Sequence, residues 1–241
     1  MCLIVFAWQL MPATPLVAAA NRDEFYDRPA LPAGWWEDHP DIYAGRDLHA
    51  GGTWMGVTRC SRFAAITNIR APSERRTDVP SRGHLVKDYL ASSLTPQEYI
   101  ERISQQTDHY NGFNLLVGNR DTLIWYSNRG QANPLNGKPL YPGIYGLSNA
   151  LLNDPWHKVV KTRANFGSLL CTSAPDEAYF DMLSDSTLTP DNRLPETGVD
   201  LPTERMLSAV CIHSPGYGTR SSSLVRLHAE AAATLKELTI R

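Results

Sequence analysis

The chain has 241 residues, of which 42% are apolar and 20% charged, a composition typical of a globular protein with a sizeable core in one or two domains. Its formal net charge of -2 provides no basic surface for nucleic acid, so we exclude DNA and RNA as partners. The four cysteines form no CxxC pair and the histidines have no HxxxH or HExxH spacing, so zinc-finger spacing is absent and we predict no metal site. Free thiols are typical of a reducing compartment, and we therefore expect a cytoplasmic protein.

The first eleven residues, MCLIVFAWQLM, are almost entirely apolar. Pro12 ends this stretch before it is long enough to span a bilayer. It also lacks the basic start of a signal peptide. We predict that it forms a buried strand and that the chain has no transmembrane segment.

Apolar runs rich in β-branched and aromatic residues predict strands that are covered on both faces. The short polar link at 119–121 predicts a hairpin between its two neighbouring runs. The predicted strand pairs are 3–8 with 16–23, 53–58 with 63–69, 113–118 with 122–128, and 209–213 with 219–228.

A helix is predicted to begin at Pro96, because Thr95 can cap its first turn and Glu98 completes a capping box. Residues 184–203 are polar and rich in proline and predict a long loop, a kind of segment that is often functional or mobile. Strand pairs that alternate with helices predict two sheets with helices outside them, a layered α/β fold in one domain. The other predicted helices are 82–90, 155–170 and 175–183.

The stretch AANRDEFYDRP, residues 19–29, places four polar residues where a buried strand is predicted to end. Because neighbouring side chains on a strand point to opposite faces, Asn21 and Asp23 share one face, and Arg22 and Glu24 share the other. Charged side chains at a covered strand end are either solvated or tightly paired. The motif is therefore either a solvated turn, which is the usual reading of a charge run, or one wall of a ligand site.

Cys2 directly follows the initiator methionine, which leaves two interpretations of its role. If Met1 is removed, the α-amine of Cys2 can take the thiol proton, and Cys2 becomes an N-terminal nucleophile. If it is not, Cys2 is a small apolar residue of the first strand, as most free cysteines are.

Two later positions carry chemistry that would complement such a site. Asn149 in YGLSNA offers an amide that can hold a developing oxyanion. Arg220 in GYGTRSSS offers a rigid fork for a carboxylate or a phosphate. Trp35 and Trp36 are predicted to lie in a loop, where they are either a hydrophobic flap or core anchors.

Seven stretches occur in an order that resembles one family, the NRDE-motif family, also called the transport and Golgi organisation protein 2 family. The resemblance runs from Met1 to about Arg226 and identifies the chain as a single NRDE-family domain over residues 1–241. The stretches are MCLIVF, AANRDEFYDRP, GGTWMGVT, AAITNIR, YNGFNLLVG, YGLSNALLNDPWHK and SPGYGTRSSS.

The resemblance implies an α+β fold, the αββα four-layer sandwich of N-terminal nucleophile hydrolases similar to choloylglycine hydrolase. It also implies intracellular haem trafficking, and acyl-CoA or lipid metabolism. If the protein is a hydrolase, the resemblance implies the catalytic residues Cys2, Arg22, Asp23, Asn149 and Arg220.

One departure from the hydrolase pattern favours a changed function on a retained scaffold. Those hydrolases space their arginine and aspartate as R-N-x-D, whereas Arg22 and Asp23 are adjacent and therefore face opposite sides of a strand. We expect a protein that binds haem, or acyl-CoA, and transfers it to an acceptor such as an apo-haemoprotein, without a required cofactor. The alternative is a cysteine amidohydrolase or thioesterase. The expected ligand-binding residues are Asn21, Arg22, Asp23, Glu24 and Arg220.

Overall fold

The computed structural model describes residues 2–241, which form eleven strands and five α-helices. The strands are β1 (Cys2–Trp8), β2 (Leu16–Phe25), β3 (Ala30–Trp35), β4 (Ile42–Asp47), β5 (Met55–Thr58), β6 (Phe63–Asn68), β7 (Phe113–Gly118), β8 (Leu123–Ser127), β9 (Gly143–Leu147), β10 (Tyr217–Leu227) and β11 (Thr234–Thr239). The helices are α1 (Gly83–Ala91), α2 (Pro96–Ser104), α3 (His157–Cys171), α4 (Asp176–Leu183) and α5 (Leu201–Leu207).

The strands form two antiparallel sheets. The five-stranded sheet has the order β11-β10-β2-β1-β9, and the six-stranded sheet has the order β3-β4-β5-β6-β7-β8. The apolar runs of β1 and β2 occupy the middle of the first sheet, as their composition predicts. Their register pairs Trp8 with Leu16 and Cys2 with Arg22, which brings the start of β1 to the polar end of β2.

Four layers result from the packing of these elements. The two sheets face each other through a core that includes Phe6, Trp8 and Trp125. Helices α3 and α4 cover the outer face of the five-stranded sheet through Phe166 and Tyr179, and α1 and α2 cover the outer face of the other sheet. The arrangement is helix, sheet, sheet, helix, so the αββα class is confirmed.

Local sequence signals predicted the positions of helices α1 to α4. Helix α2 begins with the predicted capping box, in which the Glu98 N–H donates to Thr95 Oγ1 at 3.2 Å and the Thr95 N–H donates to Glu98 Oε2 at 2.8 Å. The loop predicted at 184–203 is confirmed up to residue 200, apart from a single 3-10 turn at Asp191–Arg193, and α5 begins at Leu201. None of the helices in residues 2–241 is both long and apolar enough to cross a membrane.

The structure adds β3, β4, β9 and β11 to the predicted strands. Pro32 and Gly34 weaken the strand signal of β3, and such residues are tolerated there because β3 lies at an edge of its sheet. The strand predicted at 209–213 is wrong. Both edges of β10 are already occupied, by β2 and β11, so this segment forms only an isolated bridge between His213 and Gly218. The loop placement of Trp35 is also wrong, because Trp35 ends β3.

Candidate functional site around Cys2

A polar cleft of about 140 Å³ opens where the start of β1 meets the end of β2, between the two sheets. Its wall on the five-stranded sheet is formed by Cys2 and the motif residues Arg22, Asp23 and Glu24. The opposite wall comes from the six-stranded sheet and from the segment that leads into α1. The antiparallel pairing of β1 with β2 therefore assembles the cleft from residues twenty positions apart.

Arg22 is a charged residue of β2 that faces the space between the sheets. Its side chain is only 6% exposed, and its guanidinium lies 4.1 Å from the centre of the Trp54 ring. Within residues 2–241, no carboxylate lies at salt-bridge distance and no hydrogen-bond acceptor contacts this guanidinium. Burial lowers the pKa of Arg22 from its ordinary value. A buried guanidinium without a carboxylate at salt-bridge distance is a strong binding site for an anion.

Asp23 faces the helix side of the same sheet. It is 2% exposed, and its Oδ1 accepts a hydrogen bond of 2.6 Å from Thr219 Oγ1. Burial raises the pKa of Asp23, and the positive charge of Lys158 opposes that rise. Burial also lowers the pKa of Lys158 to about 8, while its Nζ donates to the backbone oxygen of Leu207 at 2.8 Å. The alternation of Arg22 and Asp23 predicted from the strand pattern is therefore observed.

Cys2 shares its face of the sheet with Arg22, because the two residues are directly paired. Burial raises the pKa of the Cys2 thiol, whereas the backbone N–H of Asp23 lowers it to a smaller extent. In this environment the thiol is protonated at neutral pH, and a nucleophilic role requires a base. The predicted base is the α-amine that removal of Met1 would expose, and Met1 lies outside the described residues.

Asn21 and Glu24 lie in different positions relative to the polar cleft. The Asn21 side-chain amide donates to the backbone oxygens of Leu183 at 2.8 Å and Val210 at 2.9 Å, and its Oδ1 accepts from Ser222 at 2.6 Å. Asn21 thus joins β2 to the helix layer and faces away from the polar cleft. Glu24 lies at the cleft rim and is only partly buried.

Asn149 and Arg220 occupy different parts of the molecule. Asn149 is buried beside the start of β1, and its Nδ2 donates to the backbone oxygen of Asn68, a residue of the cleft wall, at 2.9 Å. Arg220 lies outside the cleft, at an irregularity in the pairing of β10 with β2. Its guanidinium donates to the backbone oxygens of Phe25 at 3.0 Å and Arg28 at 3.0 Å. The structure thus brings Asn149 near Cys2 and leaves Arg220 as a support for the loop after β2.

The sequence patterns did not single out two important residues of the opposite wall. Trp54 carries the stacking surface for Arg22, and Arg82 adds a second guanidinium, whose pKa burial lowers to about 10. The sequence signal for Trp54 was Gly45, because a glycine inside a strand often marks a place where another group packs closely. In the structure a Cβ at Gly45 would lie 2.2 Å from the Trp54 ring, so only glycine leaves space for the tryptophan.

The predicted aromatic flap does not cover this cleft. Trp36 is 5% exposed and packs in the core beneath α1 and α2. Trp35 is exposed but lies at the end of β3 opposite to Ala30, which pairs with the cleft residue Asp47. The residues that cover the cleft are therefore not these tryptophans.

Solved structures similar to this chain include amide hydrolases of low sequence identity. A Caenorhabditis elegans N-acylethanolamine-hydrolyzing acid amidase ortholog has a TM-score of 0.48 and 11% identity over 92% of both chains. The penicillin V acylase from Agrobacterium tumefaciens has a TM-score of 0.41 and 12% identity over 99% of this chain and 86% of that one.

Relatives by sequence cover nearly the whole chain. The transport and Golgi organization protein 2 homolog of Bos taurus is 34% identical over 98% of this chain and 92% of its own length. The Homo sapiens homolog is 33% identical with the same coverage, and the Drosophila melanogaster protein is 26% identical over 95% of this chain. The family model described as Transport and Golgi organisation 2 matches residues 1–241. The family resemblance is confirmed, and the chain belongs to the Transport and Golgi organisation 2 family.

Proposed function

We propose that the cleft at Cys2 binds the anionic group of an amphipathic molecule, with haem as the first choice and acyl-CoA as the second, and that the protein transfers this ligand to an acceptor. The observation that carries the proposal is the buried Arg22 guanidinium, which lies on Trp54 without a carboxylate partner in residues 2–241. Guanidinium groups bind carboxylates and phosphates through two parallel hydrogen bonds. The propionates of haem are carboxylates and acyl-CoA carries phosphates, so both ligands provide a group that a guanidinium binds.

The size of the cleft determines how such a ligand fits. A cavity of about 140 Å³ accepts a carboxylate or phosphate group, whereas whole drug-sized ligands occupy about 300–1,000 Å³. The apolar body of the ligand therefore lies over the rim. Leu48 is 51% exposed and follows Asp47, a residue of the cleft wall, in the sequence. The Leu48 side chain supplies apolar surface for a porphyrin face or an acyl chain.

Transfer of haem also sets a requirement on iron ligation. A carrier must release its cargo, so a single axial ligand suits it better than the fixed coordination of a globin. Cys2 is the soft ligand of the cleft, and its thiol would lose a proton on binding iron. Haem remains a cargo in this proposal, and the acceptor is an apo-haemoprotein. The cytoplasmic location expected from the free cysteines belongs to the same proposal.

The test is an absorbance titration of the purified full-length protein with haem, followed by transfer to apomyoglobin. We expect saturable binding to the wild type and at least about tenfold weaker binding to Arg22→Met, which keeps the length of the side chain and removes its charge. Parallel titrations with palmitoyl-CoA and with free CoA decide which amphipathic ligand is preferred.

Arg59→Met is the matched control. Arg59 also lies on a tryptophan, 3.9 Å from the ring of Trp35, but it is exposed and outside the cleft. We expect its affinity to equal that of the wild type. Equal loss in both variants, or full binding by Arg22→Met, would refute the anion site.

A second candidate function, hydrolysis of an amide or thioester, is favoured by two residues close to Cys2. Asp23 lies next to the strand position paired with Cys2, and Asn149 is bonded to the cleft wall beside it. In this reaction the Cys2 sulfur attacks the acyl carbon, and the leaving amine or thiol takes the thiol proton. Water then cleaves the acyl-cysteine and restores the thiol.

A substrate screen with amides and thioesters tests this candidate, together with an intact-mass measurement. The hydrolase requires removal of Met1, turnover by the wild type, and loss of turnover in Cys2→Ser. Turnover that survives in Cys2→Ser, or a retained Met1 with no turnover, would leave the binding protein as the supported function.

A further inference from the structure

A second cleft, of about 360 Å³, lies away from Cys2, where α5 meets the segments on either side of it. It is larger than the cleft at Cys2 and shares no lining residue with it. Its walls include the apolar residues Leu188, Pro202 and Ala209 and the sulfur-bearing residues Met206 and Cys211. Part of the wall therefore comes from the long polar loop that the sequence marks as a functional candidate.

A thiol and an imidazole meet in this cleft. Cys211 Sγ lies 3.4 Å from His213 Nε2, and one residue separates the two in the sequence. Cys211 is 3% exposed, whereas His213 is exposed. The pair thus combines a shielded sulfur with an accessible nitrogen.

The backbone around the pair is held in place. The Cys211 N–H donates to the backbone oxygen of Asp185 at 2.8 Å, and the Ile212 N–H donates to Thr219 Oγ1 at 2.8 Å. His213 also forms a bridge with Gly218 of β10. These contacts fix the positions from which the sulfur and the imidazole project.

The distance between the two atoms suits a shared metal ion. With bonds of about 2.3 Å to sulfur and about 2.1 Å to nitrogen, a tetrahedral ion separates its two ligand atoms by about 3.6 Å. The observed separation of 3.4 Å needs only a small adjustment. Met206 lines the same cleft, and its unbranched side chain can bring a thioether towards the pair.

The ligand set selects the ion. Among residues 2–241, no group of three or more His, Cys, Asp and Glu side chains is placed to hold a metal, so a typical structural zinc site of four such ligands is not formed. The cleft wall contains no carboxylate, and its cation, Arg205, is paired with Asp191 at 2.7 Å. Thiolate and thioether ligands with one imidazole favour Cu(I) over the harder divalent ions.

We propose that Cys211, His213 and Met206 form a Cu(I)-binding site. On binding, the Cys211 thiol releases its proton to solvent and the ion keeps its oxidation state, so no oxidant or reductant is needed. The site is independent of ligand binding at Cys2.

The experiment titrates Cu(I) into the full-length protein under anaerobic, reducing conditions, with bicinchoninate as the competing chromophoric chelator. We expect one Cu(I) per chain that withstands competition. Substitution of a first ligand should weaken binding by at least about 100-fold in Cys211→Ser and in His213→Gln. Met206→Leu, which keeps the volume of the side chain, should weaken it by about tenfold.

Variants of other thiols serve as controls, because Cys60 and Cys171 are exposed and free. The double variant Cys60→Ser/Cys171→Ser and the single variant Cys2→Ser should bind Cu(I) as the wild type does. His213 is exposed, so His213→Gln tests the site without disturbing the core. Wild-type affinity in His213→Gln, or loss of the ion in the double variant, would overturn the proposal. Zn(II) bound more tightly than Cu(I) would also overturn it.

Discussion

The four polar residues of the NRDE motif differ in their bonding between the two faces of β2. On the helix side, Asn21 uses its side-chain groups in bonds to the protein, and Asp23 is bonded to Thr219. On the side between the sheets, Arg22 is buried on an aromatic ring without an anionic partner in the described chain, and Glu24 lies at the rim. One motif therefore serves both as a structural joint and as a binding surface.

The largest effect is expected from the structural face. In Asn21→Leu the backbone oxygens of Leu183 and Val210 lose their buried donor, and Ser222 loses its acceptor. We expect the free energy of unfolding to fall by about 3 kcal/mol, because each buried group left unpaired costs about 1–3 kcal/mol. Urea denaturation measures the loss. An unchanged midpoint would mean that the two faces of β2 do not differ in this way.

A pH-dependent effect of intermediate size is expected from Lys158, the cation behind Asp23. Its folded-state pKa of about 8 lies below its unfolded value, so the unfolded chain binds the extra proton between the two values. The contribution of Lys158 to stability is therefore least favourable below pH 8 and improves as the pH rises.

The comparison of wild type with Lys158→Met isolates this effect from the tyrosines, whose raised pKa values act in both proteins alike. We expect the stability of the wild type relative to the variant to increase by about 2 kcal/mol between pH 8 and pH 10. Thermal or urea unfolding across this range measures it. A flat difference would show that Lys158 titrates normally.

The smallest effect is expected from the binding face. Arg22→Met removes a guanidinium that burial disfavours and also removes its contact with Trp54. Because these two terms oppose each other, we expect the free energy of unfolding to stay the same or rise by up to about 1 kcal/mol. A fall of more than about 1 kcal/mol in the free energy of unfolding, measured by urea denaturation, would make Arg22 a structural residue like Asn21.

Features fixed by neighbouring residues could be predicted from the sequence. The capping box at Thr95, the apolar strand β1 and the alternation of Arg22 with Asp23 all follow from local spacing. The family resemblance supplied the four-layer arrangement, which residue patterns alone gave only as layered sheets and helices.

Features that depend on distant partners could not be predicted. Trp54 lies opposite Arg22 only because the two sheets stack, and the segment 209–213 is not a strand because β10 already has a neighbour on each edge. The aromatic residues Trp35 and Trp36 illustrate the same limit, since adjacent positions in the sequence have opposite exposure.

The irregularity in β10 at Arg220 connects the cleft with the last residues of the chain. Arg220 binds the backbone oxygen of Arg28, whose side chain lines the cleft, and its Nε donates to the backbone oxygen of Arg241 at 2.8 Å. The Ile240 N–H returns a bond of 2.9 Å to the backbone oxygen of Arg220. If a ligand in the cleft displaces the backbone at Arg28, we expect residues 240–241 to shift with it. A fluorophore attached after Arg241 would report occupancy of the cleft from outside it.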